Sequence, residues 1–195
     1  MKKTNCLLMY LFLFLIPYLG ICNKKLLKKE AKIDRLIELG FFKKAEKQNQ
    51  KFITSLLEKK PLNYESFLGV AYLHTAQIDA ILERDETVFK NDIKQGLDIL
   101  EKTNFEEKTK GLLRAAEIYI KRGETAKASE YLKKVGSSDF DNFSKSIQNE
   151  YFLAQAQLYL DSKGFKIAMN FTTELVKTLD RSDEKYYEEK THYLH

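Results

Sequence analysis

Cysteine is almost missing from this chain, and where it is missing matters. Cys6 and Cys22 are the only two. The 173 positions after residue 22 therefore hold no disulfide, no thiolate metal site and no cysteine nucleophile. Proline is as scarce, with Pro17 and Pro61 alone, so nearly all of the body is free of helix breakers. Only 8 glycines occur, too few turn residues for an all-β protein. Tryptophan is absent. Glycine-rich phosphate loops are absent too; "RGETAKAS" has one glycine and reads as a turn between helices.

Lys, Glu, Leu and Ala dominate what remains, which implies an all-α protein. The formal charge is only +5, and Lys and Glu alternate in stretches such as "EKTNFEEKTKG". That is a solvated helical surface and not a nucleic-acid footprint. The compact basic cluster is Lys24, Lys25, Lys28 and Lys29. It reads equally as a solubilising flank or as a contact with anionic headgroups.

The N-terminus is the strongest compositional feature. Lys2 and Lys3 precede "CLLMYLFLFLIPYLGIC", residues 6–22, which carry no charge. This is the layout of a secretory signal. As a helix, 17 residues span about 25 Å, short of a hydrocarbon core about 30 Å thick. Leu19-Gly20-Ile21-Cys22 resembles a bacterial lipobox, of the relaxed kind found in spirochaete lipoproteins. The resemblance implies cleavage before Cys22 and lipidation of its thiol. Two other readings stay open. One is a conventionally cleaved signal. The other is an uncleaved anchor, for which the six basic residues from Lys24 to Arg35 would hold the body in the cytoplasm.

Along the body, helical periodicity runs from residue 26 to 60 with a break at Gly40, the second helix covering Phe42 to Lys59. Pro61 and Asn63 mark a loop before the helix of "YESFLGVAYLHTAQIDAIL". "ERDETVFKND" reads as a polar connection, and "IKQGLDILEK" as the next helix. Gly136-Ser137-Ser138-Asp139 is a clear loop. "AAEIYIKRGETAKASEYLKKV" and "QAQLYLDSKGFKIAMNFTTEL" align at a spacing of 40 residues. Ala116 falls on Ala156, Tyr119 on Tyr159 and Ala128 on Ala168.

These residues resemble the tetratricopeptide (TPR) pattern: a small residue, an aromatic three later, a turn, then Ala on the second helix. "LGVAY" supplies Leu68, Gly69 and Tyr72, with Tyr72 47 residues before Tyr119. In the first pair Gly40 and Ala45 match, with Leu36 in the aromatic slot. The resemblance implies antiparallel helix pairs stacked as a short TPR-like right-handed solenoid, preceded by the signal or anchor segment. The organisation expected is a lipoprotein-type signal peptide over 1–21, a basic juxtamembrane linker over 22–30 and a helical domain over 31–180. Residues 181–195 form a charged tail or short helix.

No catalytic, metal or cofactor site is expected. His74, His192 and His195 form no metal-ligand spacing. Glu106-Glu107 and Glu188-Glu189 are adjacent in sequence and diverge on a helix. The TPR resemblance instead implies a groove lined by Asn63, Ser66, Val70 and His74, then Leu113, Glu117 and Lys121, then Gln157 and Asp161. Such a polar surface suits a segment of a partner protein. The expected function is a non-enzymatic scaffold, held to a membrane of the bacterial cell envelope by lipid on Cys22. The alternative is a helical carrier of a small ligand beside a transport system, with its 24 Phe and Tyr residues lining a pocket.

Overall fold

A computed structural model describes residues 24–136, 140–161 and 164–178. The described residues are all-helical, with no strand. Helix α1 is described over 24–38. It is followed by α2 (Phe42–Lys59), α3 (Tyr64–Ile81), α4 (Glu86–Leu100), α5 (Phe105–Lys121), α6 (Thr125–Gly136), α7 (Lys145–Asp161) and α8 (Phe165–Thr178). A short 3₁₀ turn, Phe140–Asn142, precedes α7. The chain divides into two compact units between Thr103 and Asn104. The lipobox segment and the C-terminal tail lie outside the described residues.

Helical spacing of apolar side chains builds the first unit. Ala45, Asn49, Phe52 and Leu56 are the buried face of α2, and Phe89, Ile93, Gly96 and Leu100 that of α4. Both runs step i, i+4, i+7, i+11, so each helix buries one stripe. Ile33 and Ile37 of α1 join Ala45, Phe52, Leu56, Phe67, Leu68 and Ala71 in one core. Full burial of each large side chain contributes about 1.5–3 kcal/mol. Helix α3 is different: it is buried almost all round, from Phe67 to Ala80. It packs against α2 and α4, and its His74 meets Asp34 of α1.

The stretch expected as a polar connection, "ERDETVFKND", is mostly helix. Asp85 caps α4 by accepting from the Thr87 N–H at 2.8 Å, and Phe89 within the stretch is fully buried. The connection shrinks to residues 82–85.

In the second unit α5 pairs with α6 and α7 with α8, while α7 packs on both α5 and α6. Asn104 caps α5 through the Glu107 N–H at 2.9 Å. The turn before α7 is pinned by rings: Phe143 stacks on Phe105 at 5.3 Å, and Phe140 meets Tyr151 at 4.9 Å and Phe152 at 5.5 Å.

All four hairpins close in the same way. The Phe41 N–H donates to Leu36 O, Arg84 to Asp79 O, Glu124 to Tyr119 O and Gly164 to Tyr159 O, at 2.6–2.9 Å. In the first three, the N–H one residue earlier also reaches the carbonyl of Ile37, Ala80 or Ile120. This is the paired bonding that ends a helix through one left-handed residue. That residue is Gly40 (φ +74°), Glu83 (φ +52°) or Gly123 (φ +73°). The acceptors Leu36, Asp79, Tyr119 and Tyr159 lie 43, 40 and 40 residues apart. The turn therefore sets a register seven residues from the one "LGVAY" suggests: Asp79, not Tyr72, is equivalent to Tyr119. Ala76, fully buried, takes the place of Ala116.

Candidate functional site

The α3–α4 turn gathers the charges that are least like ordinary surface charges. Arg84 follows the left-handed Glu83. Its Nη1 donates to Asp79 Oδ1 at 2.7 Å and to Glu46 Oε1 at 2.7 Å, and its Nη2 to Glu46 Oε2 at 3.1 Å. One guanidinium thus grips α2 in a two-pronged fork and α3 with one prong. The Asp79 side chain is almost fully buried, while Arg84 and Glu46 stay partly in water. In the first hairpin, Leu36 and Phe41 hold the positions that Asp79 and Arg84 hold here. An apolar pair at that turn has become an ionic one.

The ionisation follows from these contacts. The Arg84 bonds hold the Glu46 carboxyl below its ordinary value, against a smaller opposing effect of burial. Burial pushes Asp79 up, and the Arg84 charge and bond offset only part of that. Asp92 on α4 is pushed up to about 6, first by burial and then by the charge of Asp79. Arg84 is held protonated well above its usual range, chiefly by the bond to Glu46.

Two further polar rungs cross α3. His74 is fully buried, with Nε2 2.7 Å from Asp34 Oδ1. A carboxylate only accepts, so the ring proton on that side sits on Nε2. Asn49 of α2 donates Nδ2 to Ala71 O at 2.7 Å and to Thr75 Oγ1 at 3.0 Å. These rungs tie α1 and α2 to the central helix.

The groove residues expected from the sequence scatter in exposure. Asn63 is exposed, in a left-handed conformation just before α3, and Ser66 is half-buried. Val70, His74 and Leu113 are buried. They are interior residues and present no surface to a partner, because α3 is enclosed by α1, α2 and α4, and Leu113 sits on the packed face of α5. Glu117 is half-buried and Lys121 exposed, one turn apart on α5. Gln157 is half-buried on α7. Asp161 ends α7, and its side chain, like Cys22, lies outside the described residues.

Sequence reading did not find Glu46, Asp79, Arg84 and Asp92, which are spread over three helices and the α3–α4 turn. The available signal was Asp79 itself, a carboxylate inside the apolar run "QIDAIL". A shallow depression on α2 between Lys47, Lys51, Ser55 and Lys59 is one helix face and joins no separate elements. Among the described residues, no group of three or more His, Cys, Asp or Glu could hold a metal ion, and no helix is long and apolar enough to cross a membrane.

No protein family, curated protein or solved structure matches the chain.

Proposed function

We propose that the chain is a non-enzymatic helical-repeat scaffold, TPR-like in kind, that holds a partner protein at the bacterial cell envelope through lipid on Cys22. The observation that carries this reading is the recurrence of one hairpin turn at Leu36, Asp79, Tyr119 and Tyr159. Repeats of this kind bury one side of each hairpin on the next and leave the opposite side as an extended surface. In the second unit, the half-buried Glu117 and the exposed Lys121 on α5 are accessible on that side, whereas the amide oxygen of Gln157 on α7 is buried. Glu117 and Lys121 offer both charges, a chemistry suited to a peptide segment. The anchor rests on the apolar run ending at Leu19-Gly20-Ile21-Cys22.

Two measurements on the native cell test it. A photo-crosslinker at Lys121 should capture a defined polypeptide that the same crosslinker at Lys133, exposed on α6, does not. Metabolic acyl labelling should mark the wild type and not Cys22→Ala. Absence of label on the wild type would remove the lipid anchor. Equal capture at both positions, with a small molecule retained in native mass spectrometry, would replace the scaffold by the carrier.

A further inference from the structure

One rung sets the α3–α4 hairpin apart. In α5–α6 the turn acceptor Tyr119 stacks on Tyr131, with ring centroids 5.6 Å apart and planes 13° from parallel. In α7–α8 the turn acceptor Tyr159 stacks on Phe171, at 5.6 Å and 10°. Each partner lies 12 residues after the acceptor. In α3–α4 the acceptor is Asp79. Here Asp85 is added to the turn before α4 begins, so the equivalent partner lies 13 residues on, at Asp92. The charge of Asp79 does act on Asp92. By this register two carboxylates stand at the rung that two rings hold in α5–α6 and α7–α8. Stacked rings attract by about 0.5–1.5 kcal/mol beyond their burial, whereas paired carboxylates repel.

The charged groups facing this rung are few. Glu46 reaches it from α2, Arg84 from the turn, and Asp79 and Asp92 are its two sides. Arg84 divides a single positive charge between Glu46 and Asp79. Among the described residues no cation is paired with Asp92. Further along, α3 and α4 touch backbone to backbone at Gly69 and Gly96. That crossing is fixed, so strain at the rung is relieved by parting the turn end of the hairpin.

We propose that the Asp79–Asp92 rung makes the α3–α4 hairpin a pH-sensitive joint, loosened at its turn end when both carboxylates are charged and closed by one proton on the pair. Burial and the neighbouring Asp79 hold Asp92 up to about 6, above the ordinary 3.8. Its contribution to the closed form is therefore fully present below about pH 3.8 and lost as the pH rises through about 6. Glu46 acts in the opposite direction. Its folded value is depressed, so its contribution is present above the ordinary 4.5 and lost in stronger acid. The joint is tightest in mildly acid solution and looser at neutrality.

The test uses the full chain. The Asp92 carboxyl carbon is followed by NMR against pH, and hydrogen exchange of α3–α4 amides is measured from pH 5 to 7.5, with α5–α6 as internal reference. Asp92 should titrate near 6. Protection of α3–α4 relative to α5–α6 should fall about threefold to fivefold over that range, less than the roughly tenfold that the full displacement implies there, because Asp92 is partly solvated. In Asp92→Asn most of that fall should be lost, the buried Asp79 leaving a smaller one. Titration of Asp92 in the ordinary carboxylate range, or the same fall in the variant, overturns the proposal. If Asp92→Asn does not fold, the wild-type titration and its α3–α4 to α5–α6 ratio decide alone.

Discussion

Gly69 of α3 and Gly96 of α4 face each other with no side chain between them. A Cβ on Gly69 would lie 2.9 Å from the carbonyl oxygen of Gly96, and one on Gly96 would lie 2.8 Å from that of Gly69. The contact is reciprocal and made by backbone, which cannot swing aside as a side-chain end can. Leu100 and Leu73 close over the two positions from either side.

Gly69→Ala and Gly96→Ala should therefore each destabilise the first unit by about 1–3 kcal/mol through overpacking. Helix propensity alone predicts the opposite sign, a gain of about 1 kcal/mol. Urea unfolding separates the two. Because both substitutions force the same helices apart, the double variant should cost less than the sum of the singles, with a coupling of at least about 0.5 kcal/mol. A stabilised single variant would show that the helices part without penalty.

The His74–Asp34 pair gives a second expectation. The imidazole is fully buried and Asp34 lies about one-third exposed at the rim. Asp34→Ala removes an acceptor from a buried donor, a loss of about 1–3 kcal/mol. Asp34→Asn keeps a side-chain oxygen in the same place and should lose clearly less. Equal losses in the two variants, measured by denaturant unfolding, would show that α1 is held to α3 by apolar contacts alone.

These residues also show what the sequence made legible. The second helix was readable from Phe42 to Lys59 because its apolar stripe steps regularly and Pro61 and Asn63 follow it. The 40-residue register of the second unit was readable because Ala116 and Ala156, and Tyr119 and Tyr159, do the same packing in both hairpins. The register of α3 was not. Gly69 and Tyr72 match the expected letters two helical turns too early, since Gly69 is small to admit Gly96 and not to mark the repeat. The true slot holds Asp79, whose chemistry hides its equivalence to Tyr119.

The start of α4 and the burial of His74 were hidden for a related reason. Val88 and Phe89 sit among charged residues, and only Phe89 turns inward, so a window average reads the stretch as loop. A lone histidine looks like a surface residue until Asp34, 40 positions away, is brought within 2.7 Å. The same separation hid the Glu46–Arg84–Asp79 cluster. Local patterns fix helices, whereas charge partners across helices need the tertiary crossing to be known.

The Tyr119–Tyr131 stack yields a prediction at the alkaline end. Burial, and then Tyr131, Glu124 and Glu130, push the Tyr119 phenol up to about 12. Its folded value lies above the ordinary 10, so the stability it supports is fully present below about pH 10 and lost as the pH rises through about 12. Tyr119→Phe keeps a ring in the stack and removes the ionisable group. Phenolate absorbance of the wild type minus that of Tyr119→Phe isolates this one residue, and its midpoint should fall near 12. A difference titration centred near 10 would mean that water reaches the phenol, and that the rung joining α5 to α6 is open.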